Sequence, residues 1–159
     1  MSGAVNTGVV TLDVLRSYDG LSFLKAMIDG SILQPPMTAT LGFRLTEAEH
    51  GRAVFTGEPR YEYYNPLGSV HAGFAATLLD SALGCAVHST LAKGESYTTA
   101  EFKLNLVRPL TKDTGAVTAE GRIVHRGRTL GTSEGYLRDA AGKLYAHATT
   151  TCIIFPASG

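Results

Sequence analysis

From Gly73 to Leu91 the chain runs without a proline, and inside that stretch only Gly84 is a poor helix former. Ala75, Leu79, Ala82 and Ala86 lie along one side of the resulting helix, and Ala76, Leu83 and Val87 along another, so apolar residues cover most of its circumference. Such a helix cannot rest on a surface with one face in water; the rest of the chain must wrap around it. One narrow stripe interrupts the apolar surface. Thr77, Asp80, Gly84 and His88 fall at i, i+3, i+7 and i+11, a line of polar or small residues with a carboxylate in its middle.

The wrapping has to come from strands. Beyond Gly94 four β-type runs follow: Tyr97 to Val107, Ala116 to His125, Thr129 to Leu137 and Lys143 to Phe155, the last two joined through Asp139-Ala140-Ala141-Gly142 as a hairpin. Upstream, residues 40 to 46 and 52 to 57 are short runs separated by the polar stretch Glu47 to Gly51, again the pattern of a hairpin. Leu12, Leu15, Leu21, Leu24, Met27 and Ile28 recur at helical spacing, with Gly20 dividing two short helices. Residues 1 to 10 read as a loose tail, and Gln34-Pro35-Pro36 as an extended connector. The expected class is α+β: a strongly curved antiparallel sheet around one long central helix. Residues 1–30 form a tail and short helices packed on it, and 31–159 a single domain without internal repeat or linker.

Charge and cysteine usage narrow the functions available. Fourteen basic and fourteen acidic residues give zero formal charge, leaving no electrostatic footprint for nucleic acid or for an anionic membrane surface. Asp13, Arg16 and Asp19 interrupt the N-terminal apolar pattern, which argues against an export signal, and no apolar run is long enough for a membrane span. Cys85 and Cys152 lie in apolar surroundings without C-x-x-C spacing, as free thiols in a reducing, cytoplasmic compartment would. The five histidines lack metal-ligand spacing, so no metal is expected.

The stretch with most chemical content is Asn65-Pro66-Leu67-Gly68-Ser69-Val70-His71-Ala72-Gly73, which runs straight into the helix carrying Asp80. Backbone N–H groups at 72 and 73 lack intrahelical partners and sit at the positive end of the helix dipole, where they can cradle an oxyanion. Asp80, flanked by Ala76, Leu79 and Leu83, is expected to be partly desolvated and able to take a proton or attack a carbonyl. Spacing and residue types resemble the N-x-x-G-x-x-H-G-G…D signature of the phenylacetate-pathway (PaaI-like) enzymes within the hotdog-fold acyl-CoA thioesterases. By element order the resemblance extends over about three-quarters of the chain, from the first strand to Phe155.

The resemblance implies a hotdog fold and hydrolysis of an acyl-CoA, with coenzyme A part of the substrate and no separate cofactor. Asp80 is then base or nucleophile, the amides of Ala72 and Gly73 form the oxyanion hole, Asn65 orients water or thioester, and His71 fixes the turn or polarises the carbonyl. A hydroxyl from a neighbouring subunit's strand holds the water; counting back from Arg108-Pro109 gives Thr99, with Thr98 as the alternative. The active site therefore lies between subunits of a homodimer, or of a homotetramer built from such dimers. Arg108, Arg126 and Arg128, near strand ends, are candidates for the nucleotide phosphates, and Tyr63, Tyr64 and Phe74 for the acyl group. Two departures stand out: Ala72 replaces the first glycine of His-Gly-Gly, which requires a negative φ there, and Gly84 occupies a position where some relatives carry a hydroxyl one turn after the acid.

Other readings are weaker. Gly131-Thr132-Ser133-Glu134-Gly135 matches the G-x-S-x-G pattern but lies within an apparent strand rather than a strand-to-helix turn, and Ser22-x-x-Lys25 lacks partner motifs. A non-catalytic acyl-CoA-binding module and a hydratase using a His71 and Asp80 pair are the competing functions.

Overall fold

The computed structural model describes residues 6–158. The elements in chain order are α1 (Leu12–Ser17), α2 (Gly20–Asp29), α3 (Pro36–Leu41), β1 (Phe43–Glu49), β2 (Arg52–Gly57), a 3₁₀ turn (Tyr61–Tyr63), α4 (Ala72–His88), β3 (Glu95–Leu106), β4 (Val117–Arg126), β5 (Leu130–Asp139) and β6 (Leu144–Pro156). The six strands make one antiparallel sheet in the order β1-β2-β4-β5-β6-β3, curved around α4. This is the hotdog architecture expected from the apolar helix.

The N-terminal third differs from expectation in detail. Pro36 does not continue an extended connector but opens α3, since a proline at the first helical position loses no hydrogen bond and its φ suits a helix. Residues 40 and 41 belong to that helix, so the first strand begins at Phe43 and runs on to Glu49, leaving only His50 and Gly51 as the hairpin tip. Of the tail expected to be loose, residues 1–5 lie outside the described residues, while Thr7 bridges to Gln34 and Gly8 N–H donates to the Gln34 carbonyl at 2.9 Å.

The sheet reaches α4 closely because the residues beneath the helix are small. Ala53, Ala119, Ala146 and Ala148 face it, and Leu78, Leu79, Ala82 and Leu83 of α4 are all fully buried against them. At the centre, Gly121 of β4 lies directly opposite Gly135 of β5. A Cβ on Gly121 would come within 2.3 Å of the Ala82 carbonyl oxygen, and one on Gly135 within 2.7 Å of the Leu83 side chain. Ser133, on the same inner face, donates its hydroxyl to the Leu83 carbonyl at 2.9 Å and is fully buried. It is a structural tie between sheet and helix, not a nucleophile.

The far end of α4 is sealed by the N-terminal helices. His88 is clamped between Phe23 of α2, at 5.2 Å between ring centroids, and Tyr97 of β3, at 5.6 Å and edge-on. Burial holds its imidazole neutral, with a pKa lowered to about 4.

Two outcomes follow from this packing. Gly121→Val should cost at least about 3 kcal/mol in urea unfolding, the upper part of the overpacking range, because helix backbone and not a movable side chain occupies the space. A midpoint equal to that of the wild type would show that the helix does not lie this close. For His88 the unfolded chain binds a proton below about pH 6.5 while the folded chain does not until about pH 4. Stability is therefore complete above that window and falls as the pH drops through it. In thermal scans from pH 7 to 4, His88→Phe should lose less than the wild type does.

Candidate active site

The residues singled out in the sequence come together in two groups. The first is built by the loop before α4. Asn65 Oδ1 accepts from the backbone N–H of Leu67 at 2.8 Å and, more weakly, of Ser69 at 3.4 Å, while its Nδ2 donates to the Ser69 hydroxyl at 3.1 Å. The side chain thus shapes the turn that delivers the chain to His71. His71 N–H donates to the Tyr63 carbonyl at 2.7 Å, and its ring is the N-cap of α4: Nδ1 accepts from Gly73 N–H at 2.9 Å.

This cap corrects the expected oxyanion hole. Gly73 N–H is already satisfied by His71, whereas Ala72 N–H finds no acceptor among the described residues. The single open donor is Ala72, at the first position of the helix, where the dipole is strongest. No described non-glycine residue has a positive φ, so the alanine sits there without strain and the condition set by losing the motif's first glycine is met. An Nδ1 that accepts also fixes the neutral tautomer with its proton on Nε2, making His71 a donor on its outer side.

The loop group surrounds a cavity of about 350 Å³ lined by Asn65, His71, Ala72 and Arg108, among others. On the other side of His71 a second cavity, of about 450 Å³, is lined by Tyr63, Tyr64, Gly73, Phe74 and Thr77. The rings of Tyr63 and Phe74 stack there with centroids 5.3 Å apart.

The second group is Asp80 and Thr99. Thr99 Oγ1 donates to Asp80 Oδ1 at 3.1 Å within the same chain, so the hydroxyl expected from a neighbouring subunit's strand to hold the water is here bonded to the carboxylate of its own subunit. Thr98 points to the opposite face of β3 and is exposed. A bulge decides between them: Thr99 pairs with Cys152 and Glu101 with Thr151, leaving Ala100 as an extra residue. Thr150 pins it by donating its buried hydroxyl to the Glu101 carbonyl at 2.6 Å. Before the bulge Tyr97 and Thr99 face α4; after it Phe102 and Leu104 do. Asp80 itself is exposed on the single chain, because Leu79 and Leu83 turn toward the sheet and not toward the carboxylate, so the expected desolvation by these neighbours does not occur.

The arginines separate as well. Arg126 is taken up inside the fold, bonded to Glu95 at 2.7 Å and to Thr90 and Gly127, and so is not free for a phosphate. Arg108 lies over the Tyr145 ring and donates to the Leu144 carbonyl while lining the loop cavity, and Arg128 is exposed. Both cysteines are free; burial raises the Cys85 thiol to about 12, which makes it inert as a nucleophile. Among the described residues no cluster of side chains could hold a metal, and no helix is long and apolar enough to cross a membrane.

Known proteins share the sequence pattern and the fold of this chain. A protein of Saccharolobus solfataricus provisionally named an esterase is 32% identical over 108 residues, covering 68% of this chain and 75% of that protein. Another with the same provisional name, from Halobacterium salinarum, is 42% identical over 116 residues, covering 69% and 74%. Among solved structures, a phenylacetic acid degradation-related protein from Ralstonia eutropha, provisionally named a thioesterase, superposes with a TM-score of 0.74 at 28% identity, over 82% of this chain and 98% of that one. A mutant form of the phenylacetic acid degradation protein PaaI from Thermus thermophilus gives 0.67 at 28% identity, over 74% and 97%. The model of the thioesterase superfamily matches residues 67–146, a span that holds His71, Ala72, Asp80, Thr99 and Arg108. With half of its length matching that model around the helix and strand described above, the chain belongs to the thioesterase superfamily.

Proposed function

We propose that this chain hydrolyses an acyl-CoA thioester to the free acid and coenzyme A. The observation that carries the reading is Asp80, an exposed carboxylate on the central and largely buried helix, oriented by the Thr99 hydroxyl. A thioester carbonyl under attack gains negative charge on oxygen, and that oxygen accepts a hydrogen bond from the Ala72 N–H at the helix N-terminus. Asp80 either draws a proton from the attacking water, after which the C–S bond breaks and that proton passes to the departing coenzyme A thiolate, or attacks the carbonyl carbon and expels the thiolate to form a mixed anhydride that water then opens to the acid, its proton passing to the thiolate. His71, with its proton on Nε2, adds a second donor beside the oxygen. That same tautomer makes it a poor base, which disfavours the hydratase reading.

The two groups do not meet within one chain. Eight residues of helix separate Ala72 from Asp80, about 12 Å along the axis at 1.5 Å per residue. A reacting carbonyl must lie roughly 3 Å from both its nucleophile and its oxyanion donor. We therefore assign Asp80 and Thr99 to one subunit and Asn65, His71 and Ala72 to its partner. β3 is one of the two edge strands of the sheet, the longer of them, and its twelve residues would pair with the same strand of a second copy. Such a homodimer, alone or paired into a tetramer, holds two sites. The cavity beside Arg108 in the subunit that supplies Ala72 then takes the coenzyme side, and the aromatic cavity reached past Thr77 in the subunit that supplies Asp80 takes the acyl side, consistent with an aromatic or medium-length acyl group. Two free thiols suit the reducing cytoplasm.

Thiol release from aromatic and aliphatic acyl-CoAs tests the reading. Asp80→Asn should lower kcat by about 10²–10⁴, the range for a lost general base. Ala72→Pro should lower it by about 10²–10³ without loss of stability, because proline at the first helical position removes only the N–H and His71 already has the extended ψ of 139° that a following proline requires. Mixing the two inactive variants after dissociation should restore about a quarter of wild-type activity, since random pairing gives half heterodimers with one intact site of two. No restoration would place the whole site in one chain. Binding of acyl-CoA by the wild type without thiol release would replace the enzyme with a binding module.

A further inference from the structure

The position one turn beyond Asp80 is Gly84, and the space above it is filled from the sheet. A Cβ on Gly84 would come within 2.7 Å of the Tyr97 hydroxyl and 3.1 Å of its ring. Tyr97 and Thr99 are two apart on one face of β3, about 6.6 Å, and Gly84 and Asp80 are four apart on α4, about 6 Å, so strand and helix match rung for rung. Thr99 meets Asp80 on one rung and Tyr97 meets Gly84 on the next. Behind the phenol stands His88, edge-on to the ring, and around it pack Val87, Leu91, Cys152 and Ile154. In the other direction, past Thr77, lies the aromatic cavity of about 450 Å³.

We propose that Tyr97 is a specificity-determining residue that closes the seam between α4 and β3 immediately beyond Asp80, so that an acyl group can extend only toward Thr77 and the Tyr63–Phe74 cavity. This rests on the thioesterase reading, with the carbonyl at Asp80. The closure comes from the ring and needs no titration of the phenol. It excludes straight acyl chains too long for the aromatic cavity and leaves aromatic and short acyl groups unaffected.

The test is an acyl-CoA series from butanoyl to tetradecanoyl, with phenylacetyl-CoA alongside, on wild type and on Tyr97→Phe, Tyr97→Leu and Tyr97→Ala. Tyr97→Leu keeps apolar packing against Val87 and Ile154 should the alanine variant not fold. Tyr97→Phe should keep the wild-type profile of kcat/KM against length. Tyr97→Leu or Tyr97→Ala should raise the ratio of tetradecanoyl to phenylacetyl at least tenfold. A uniform fall across the series, with the ratio unchanged, would overturn the proposal and leave hydrolysis itself standing. Should the wild type release no thiol, dissociation constants of non-hydrolysable thioether analogues of the same lengths give the same ratio. An unchanged ratio there would also overturn it.

Discussion

Everything in this molecule depends on how near the sheet comes to α4. The Gly121 and Gly135 pair lets two strand backbones approach the helix backbone, and the alanines around them hold the same spacing outward. Close packing at this distance buries one broad side of the helix against the sheet and leaves Asp80, Gly84 and His88 to meet Thr99 and Tyr97 of β3. The carboxylate is held in place by the burial of its neighbours more than by any bond of its own.

That dependence explains what was legible in the sequence. A helix apolar on most sides and followed by a meander of strands admits few folds, and its ends and those of the last four strands differ from expectation by one to three residues. Pro36 misled because a proline reads as a breaker from one side and as a helix start from the other; the small and polar residues after it, Thr38 and Thr40, carry no periodicity to decide between them. The wrap itself was visible as a requirement. The glycines that permit it were not, since Gly121 and Gly135 acquire meaning only when they lie opposite each other.

The site was legible in its members and less so in its geometry. Asp80 and Ala72 follow from helix spacing and terminus physics. Gly73 looked equivalent to Ala72 until the His71 ring was found on its N–H, a local contact that no pattern of residue types specifies. Arg126 looked free because its partner, Glu95, is thirty-one residues away in sequence. Thr99 against Thr98 is the instructive case. Strict alternation back from Leu104 and Phe102 selects Thr98, and the bulge at Ala100 reverses the choice. A trace of it was present: Tyr97 and Phe102, both suited to an inner face, are separated by an odd number of positions, which an uninterrupted strand cannot place on one side.

Since α4 is locked against the sheet along its buried side, it acts as a ruler with fixed graduations. Each residue added or removed between Ala72 and Asp80 would rotate the carboxylate by about 100° and shift it by about 1.5 Å, carrying it away from Thr99 and bringing Leu79 into its place on insertion or Ser81 on deletion. No fractional adjustment exists. Finer adjustment of what surrounds Asp80 must therefore come from elements that are not counted in helical turns, the loop from Tyr61 to Val70 and the inner face of β3, while the interval from Ala72 to Asp80 can change only by whole residues.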